Sequence, residues 1–167
     1  KSSLRPSRIF IVEDDVFILR ELEITLESLG YAVVGCALSA FHAFEAIPQQ
    51  HPDVVLMDMC LSGEIDGIEA TRLITSTYDI PIIYLATHPD RNAWLRAKHT
   101  NPFGYLTQPW SREELGISID IAINRHQAEM EAKRALDLVR QEQQSIETSN
   151  KVYRHSLSMA THELRNF

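Results

Sequence analysis

The segment "VVLMDMCL" (54–61) is apolar except for Asp58. An apolar run of this length is typical of a strand buried on both faces of a parallel sheet. A carboxylate at the end of such a strand costs free energy unless hydrogen bonds or a cation offset its burial. In parallel sheets, ligands bind outside the carboxyl ends of the strands. Asp58 therefore indicates a functional site at that edge of the sheet.

Five apolar segments alternate along the chain with segments of helical periodicity. The predicted strands are 8–12, 31–37, 53–57, 81–86 and 103–107. The predicted helices are 15–30, 39–47 (ending before Pro48), 67–77, 90–99 and a last one after 110. This alternation predicts βαβ units and a doubly wound α/β domain with a parallel sheet, ending near residue 125.

Acidic residues follow two of the predicted strands. Glu13 and Asp14 come directly after the first strand, and Asp58 follows the third. If these strands are neighbours, the three carboxylates converge and repel one another, which favours a cation with oxygen ligands such as Mg²⁺. The alternative is that Glu13 and Asp14 only stabilise the start of the first helix. We assign that role to Asp15 and favour the metal site.

The composition narrows the classes of partner. With 167 residues and a formal net charge of −7, the chain does not fit a general binder of nucleic-acid phosphates or of anionic membranes. No apolar run approaches the ~20 residues needed to cross a bilayer. Cys36 and Cys60 match neither a metal motif nor a disulfide framework, so we expect a reduced, cytoplasmic setting. We interpret Cys36 as a small buried side chain.

Four motifs together resemble response-regulator receiver domains. They are "RIFIVEDD" (8–15), "VVLMDMCLSGEIDGIEA" (54–70), "PIIYLATH" (81–88) and "NPFGYLTQPW" (101–110). The resemblance covers about residues 7–125, which we take as the receiver domain. It implies a flavodoxin-like fold with strand order 2-1-3-4-5 and a cis peptide bond before Pro109.

The resemblance also implies roles for the acidic residues. Asp58 resembles the aspartate that accepts a phosphoryl group from a phosphohistidine. Glu13 and Asp14 resemble the Mg²⁺-binding pair, with Asp58 and the backbone carbonyl of Cys60 as further ligands. The expected partner is a signalling protein that donates or accepts the phosphoryl group.

The sequence departs from the receiver pattern at two helper positions. Gln108 stands where receivers usually have a lysine, and Ala86 stands at the Ser/Thr position. Thr87 follows directly, but adjacent strand residues point to opposite faces, so it is no automatic substitute. Hydrogen bonds from a charged donor are about twice as strong as neutral ones. We therefore expect slow phosphorylation of Asp58, or none. Tyr105 matches the aromatic switch position.

The chain after residue 125 shows a heptad pattern. One position is occupied by Leu136, Gln143, Asn150, Leu157 and Leu164, and the other by Ala132, Val139, Ile146, Tyr153 and Ala160. Such a seam predicts a coiled coil over 126–167, and a polar residue such as Asn150 favours a parallel homodimer. The alternative is a single solvated helix, which would be marginally stable in water.

The last residues, "MATHELRNF" (159–167), resemble the histidine box of sensor histidine kinases. This implies that His162 is a phosphorylatable histidine, and the heptad places it at the solvent-facing f position. We expect the sequence to be a piece of a longer protein. These residues contain no nucleotide-binding motif, so we expect kinase activity only of the full-length protein.

Two functional interpretations stay open. The first is the phosphoryl-accepting receiver module of a histidine kinase, with atypical helper positions. The alternative is a pseudo-receiver adaptor that acts by dimerisation and protein binding without phosphorylation. A DNA-binding regulator is disfavoured, because the tail shows no helix-turn-helix pattern and the net charge is negative.

Overall fold

The computed structural model describes residues 5–88 and 90–165. Its strands are β1 (Arg8–Val12), β2 (Ala32–Ala37), β3 (Val54–Asp58), β4 (Ile82–Ala86) and β5 (Gly104–Thr107). Its helices are α1 (Val16–Ser28), α2 (Ala40–Gln50), α3 (Gly67–Thr77), α4 (Arg91–Lys98) and α5 (Arg112–Arg165). Strands and helices alternate strictly along the chain, as the sequence predicts.

The five strands form one parallel sheet in the order β2-β1-β3-β4-β5. The predicted fold class and strand order are therefore confirmed. The central strand β3 lies between β1 and β4, with Val12 opposite Met57 and Asp58 opposite Leu85. The carboxyl ends of β1 and β3 consequently meet at the same edge of the sheet.

Helices cover both faces of the sheet, and each face has its own apolar core. One core joins α2, α3 and α4 to strand residues such as Phe10, Met57 and Tyr84. The other joins α1 and α5 to Ile11 and Leu56 among others. Successive strand residues point to opposite faces. Both orientations are buried in β3, which explains why its sequence is apolar throughout.

Two sequence interpretations are wrong. Helix α2 does not end before Pro48 but continues to Gln50. A proline in the last turn removes only a single intrahelical donor, so the helix can continue past it. His51 caps the end of the helix: it has φ 46° and donates its N–H to the Ile47 carbonyl at 3.1 Å. Cys36 is exposed and not buried, because β2 is an edge strand that is only partly covered.

The chain divides into two compact units, Lys1–His126 and Gln127–Phe167. We call them the α/β unit and the helical unit. The α/β unit contains the sheet with its covering helices, and the helical unit contains the remainder of α5. Every residue from 131 to 165 is exposed in the single chain. Among the described residues, no helix is long and apolar enough to cross a membrane.

Candidate functional site

Three carboxylates lie together at the carboxyl ends of the two central strands. Glu13 and Asp14 follow β1, and Asp58 is the last residue of β3. One carboxylate oxygen from each residue lies within 4.8 Å of the other two. We call these three residues the acidic cluster. The structure thus brings together the side chains that the sequence assigns to a metal site.

Backbone amides of the flanking loops hold each carboxylate of the acidic cluster. The Cys60 N–H donates to Asp58 Oδ1 at 3.0 Å, and the Ser62 N–H donates to Asp14 Oδ2 at 2.8 Å. The Asp15 N–H donates to Glu13 Oε1 at 2.9 Å. The loop after β3 is therefore attached to the residues that follow β1.

Asp15 has a separate role. Its carboxylate accepts hydrogen bonds from the backbone N–H groups of Phe17 and Ile18, at 2.8 and 3.2 Å. These are unpaired donors at the start of α1, so Asp15 is the N-cap of that helix. The assignment of Asp15 as the capping residue is confirmed.

Burial and mutual repulsion perturb the acidic cluster. Burial, together with the charges of Asp58 and Asp14, raises the pKa of Glu13 to about 7, although a hydrogen bond from Asp15 opposes the rise. Burial also raises the pKa of Asp58, assisted by the charge of Asp14 and opposed by the Cys60 hydrogen bond. Burial acts to raise the pKa of Asp14 too, but hydrogen bonds from Ser62 outweigh it and the pKa is lowered.

The chemistry of this donor set fits a divalent cation. Its members are oxygen donors of like charge, and Glu13 and Asp58 are only 3% and 6% exposed. In the described part of the chain, none of the ion pairs includes a member of the cluster. A hard cation such as Mg²⁺ would supply the missing positive charge.

Helix α3 begins in direct contact with the backbone of Asp58. A Cβ atom at Gly67 would lie only 1.7 Å from the Asp58 carbonyl oxygen, so the position has room for glycine alone. Asp66 caps α3 by accepting from the Glu69 N–H at 2.9 Å. Arg96 of α4 holds the same carboxylate through two hydrogen bonds, at 2.6 and 3.1 Å.

Sequence reasoning missed both of these supports. The cap was visible as an aspartate directly before a predicted helix. The pairing with Arg96 was not, because it joins residues thirty positions apart. Both fix the loop that follows Asp58.

The predicted switch positions lie at the ends of β4 and β5. Ala86 is the buried last residue of β4, and its carbonyl accepts from the Gln108 N–H at 2.9 Å. Thr87 is exposed. No side-chain hydrogen bond among residues 5–88 and 90–165 joins Thr87 or Gln108 to the acidic cluster. The Gln108–Pro109 bond is cis, as predicted.

Tyr105 lies within an aromatic group between β4, β5 and α4. Its ring centroid is 4.7 Å from that of Trp94 and 5.9 Å from that of Tyr84. The Tyr105 side chain is about a third exposed, and the Tyr84 hydroxyl lies 2.8 Å from the Thr100 hydroxyl. Tyr105 therefore connects β5 to α4 through the contact between its ring and that of Trp94.

His162 lies in the helical unit and is exposed. The large apolar residues of the predicted seam are also exposed, among them Val139, Ile146 and Leu157 at 51, 60 and 50%. Within the single chain, exposure does not distinguish the seam from the opposite side of the helix. The f position of His162 and the coiled coil therefore stay predictions.

Comparison with known proteins gives a consistent match over the first part of the chain. The family described as the response regulator receiver domain matches residues 9–120. The transcriptional regulatory protein PdtaR of Mycobacterium tuberculosis is 33% identical over 120 residues, which are 72% of this chain and 58% of that protein. The chain thus spans little more than half the length of this curated relative.

Solved structures show the same similarity. The signal receiver domain of a modulated diguanylate cyclase from Desulfovibrio desulfuricans G20 superposes with a TM-score of 0.72 at 36% identity, covering 74% of this chain and 98% of that one. A response regulator receiver domain protein from Clostridium thermocellum gives a TM-score of 0.67 at 27% identity, covering 73% and 98%.

Proposed function

Because the chain belongs to the response regulator receiver domain family, which matches it over residues 9–120, we propose that Asp58 accepts a phosphoryl group from a phosphohistidine of a signalling partner. The family match identifies a receiver domain of two-component signalling. The observation that supports it is the convergence of three carboxylates at the ends of β1 and β3.

The Asp58 carboxylate is prepared to act as a nucleophile. The Cys60 N–H engages Oδ1 and leaves Oδ2 as the attacking atom. Attack forms a bond from Oδ2 to phosphorus and breaks the phosphorus–nitrogen bond, and the departing imidazole takes up a proton from water. Burial limits the solvation of the carboxylate, so less hydration has to be removed before transfer.

Glu13, Asp14, Asp58 and the backbone carbonyl of Cys60 would hold Mg²⁺. When bound, the cation neutralises the negative charge shared by the carboxylate and the incoming phosphoryl group. The acidic residues thus provide the charge that retains the metal. The loop amides of Cys60 and Ser62 keep the carboxylates in position.

Metal binding can be tested by titrating Mg²⁺ while following backbone amide shifts. Shifts in the loops after β1 and β3 at millimolar concentrations are expected, and Asp14→Asn should weaken the response. An absence of shifts in both loops at millimolar Mg²⁺ would contradict the metal site.

The departures at Gln108 and Ala86 make the domain an atypical acceptor in this proposal. Gln108 offers a neutral hydrogen bond where a cation would stabilise the phosphoryl group more strongly. Ala86 offers no hydroxyl. We therefore expect labelling of Asp58 by acetyl phosphate and Mg²⁺ to be slow, and to accelerate in the double variant Gln108→Lys with Ala86→Thr.

Intact-mass measurement checks this expectation, with Asp58→Asn as the unlabelled control. Complete labelling of the wild-type chain within minutes would contradict the atypical character. Failure to label even the double variant would contradict the phosphoacceptor role. It would favour the second candidate, an adaptor without phosphoryl chemistry, to which the substitutions at Gln108 and Ala86 also point.

For the helical unit, we propose parallel pairing with a second copy and a position within a histidine kinase, with His162 as the phosphohistidine. The exposed apolar residues at heptad spacing support the pairing. The resemblance of "MATHELRNF" to a histidine box supports the kinase context. The full-length protein tests the latter: ATP should label it at His162, and His162→Gln should abolish that label. Retention of the label in His162→Gln would contradict the assignment.

A further inference from the structure

An apolar groove of about 450 Å³ lies on the face of the α/β unit that carries α2 and α3. The start of α2 forms one wall, with Phe41 and Phe44. Leu73 of α3 forms the other wall, and the loop that contains Glu64 and Ile65 closes one end. Grooves of this size accommodate several side chains of a ligand.

The large apolar side chains of the groove walls lie outside the packed core. Phe41 and Phe44 are 69 and 42% exposed, and Leu73 is 37% exposed. Helices α2 and α3 pack on the sheet mainly through other residues, among them Ala43, Ile47, Ile68, Thr71 and Ile74. The buried Ala40 and Ala70 belong to the core and also line the groove. The core does not include Phe41, Phe44 or Leu73, so the packing of the fold does not account for these three large apolar side chains beside one groove. Contiguous exposed apolar surface of this kind marks an interaction site.

The surroundings of the groove are acidic. Glu64 is the one charged side chain among the described residues that line it. Ser62 also lines the groove, and its N–H is bound to the Asp14 carboxylate, so this end adjoins the acidic cluster. Arg72 of α3 is neutralised by Glu69, with hydrogen bonds of 2.6 and 3.0 Å. Glu64 therefore favours a cationic group of the partner at this end of the groove, also when the acidic cluster holds Mg²⁺.

We infer that this groove binds an amphipathic helix of a partner protein, with apolar residues on one stripe and Lys or Arg beside it. The walls are helices, whose backbone groups are already paired, so the partner is recognised through side chains and not by strand addition. A second copy docked through the same groove would bring two acidic surfaces together, which is unfavourable.

The inference is independent of phosphoryl transfer at Asp58. It requires the two phenylalanines, Leu73 and the acidic end, all of which are present in the unmodified chain. The loop at that end continues directly from Asp58 and Cys60. Asp58 is not among the residues that line the groove, so Asp58→Asn separates a failure of docking from a failure of the phosphoacceptor proposal.

The test uses a fluorescent helical peptide of about 18 residues, or five turns, with Leu at i, i+3, i+4 and i+7 and Lys on both flanks. A second peptide carries Glu in place of each Lys. Anisotropy with the full chain should show binding of the Lys peptide only, and amide shifts should fall on α2, α3 and the loop from Ser62 to Ile65.

Phe41→Ser should weaken binding of the Lys peptide about tenfold or more, as truncation of an aromatic anchor does. Phe41 is largely exposed, so the variant should fold. Phe17→Ser is the matched control, because Phe17 is 84% exposed on α1, which packs on the opposite face of the sheet. Asp58→Asn replaces no residue that lines the groove and should still bind the Lys peptide in preference to the Glu peptide, whatever its labelling by acetyl phosphate.

Several results would overturn the inference. They are equal binding of both peptides, equal weakening by Phe41→Ser and Phe17→Ser, shifts confined to other elements, and no binding at millimolar peptide. A Phe41→Ser variant whose only change is a lower mass in sedimentation would assign the groove to a second copy of the chain.

Discussion

The α/β unit and the helical unit differ in where their apolar side chains find contacts. In the α/β unit, strands and helices bury each other, and Leu56 and Ile83 are inaccessible to solvent. In the helical unit, residues 131–165 are exposed, with Ile146 and Leu157 at 60 and 50%. The α/β unit builds two apolar cores from its own strands and helices. We propose that a second chain covers the apolar residues of the helical unit.

The largest expected effect is a loss of stability when a buried side chain of the α/β unit is truncated, compared with truncation in the helical unit. Leu56→Ala removes a fully buried side chain from the central strand and should lower the free energy of unfolding by about 2–5 kcal/mol. Leu157→Ala, at a half-exposed position, should change the unfolding of the α/β unit by less than about 0.5 kcal/mol. Urea unfolding followed by the fluorescence of Trp94 and Trp110 measures both. Similar losses in the two variants would contradict the contrast.

A second effect is the pH dependence of the free energy of unfolding, which the buried Glu13 carboxyl group of the α/β unit controls. The pKa of Glu13 rises from its ordinary value of 4.5 to about 7 on folding, chiefly through burial. The folded state then holds a proton that the unfolded chain has already released. The free energy of unfolding should therefore fall as the pH rises from about 4.5 to 7, by about 3 kcal/mol if the shift is fully realised.

Burial raises the pKa of Asp58 as well, which acts in the same direction. Urea unfolding at several pH values in EDTA measures the dependence, and Glu13→Gln should flatten it. Equal pH dependence in the wild-type chain and Glu13→Gln would contradict this assignment. In Mg²⁺ the decline should be smaller, since a bound cation favours the ionised carboxylates.

A third, smaller effect concerns the contact between α3 and Asp58. In Gly67→Ala, the new methyl group meets the Asp58 carbonyl, and the backbone must shift, at a cost of about 1–3 kcal/mol. Gly116→Ala is the matched control, because its Cβ would meet only ordinary contacts of 3.7–3.9 Å within a helix. That variant should gain up to about 1 kcal/mol. Thermal unfolding compares the two, and equal stability would contradict the close approach at Gly67.

Much of the α/β unit could be predicted from its sequence. The strands are short, apolar and separated by helical periodicity, so their number and order along the chain were evident. A parallel sheet places the carboxyl ends of all its strands at one edge, and the resemblance to receiver domains implies that β1 and β3 are neighbours. Together these two inferences group Glu13, Asp14 and Asp58 at one site. The strands follow from local patterns, whereas the strand order depends on the resemblance.

The failures involve packing that no local pattern encodes. The sequence predicts that α2 ends before Pro48, but a proline in the last turn removes only one donor and the helix continues to Gln50. The interpretation of Cys36 as a buried side chain follows the usual behaviour of free cysteines, but β2 lies at the sheet edge and Cys36 is exposed. Phe41 and Phe44 lie in α2, whose start the sequence predicts correctly, but only the packed structure shows that their side chains are exposed to solvent. The Asp66–Arg96 pair depends on the folded arrangement of α3 and α4.

Sedimentation of the full chain beside a version that ends at His126 tests the contrast between the two units most directly. We predict that the full chain is a dimer at micromolar concentration, that Ile146→Asp weakens this dimer, and that the shortened chain is a monomer. A full chain that sediments as a monomer would contradict the account, as would a shortened chain that remains fully dimeric.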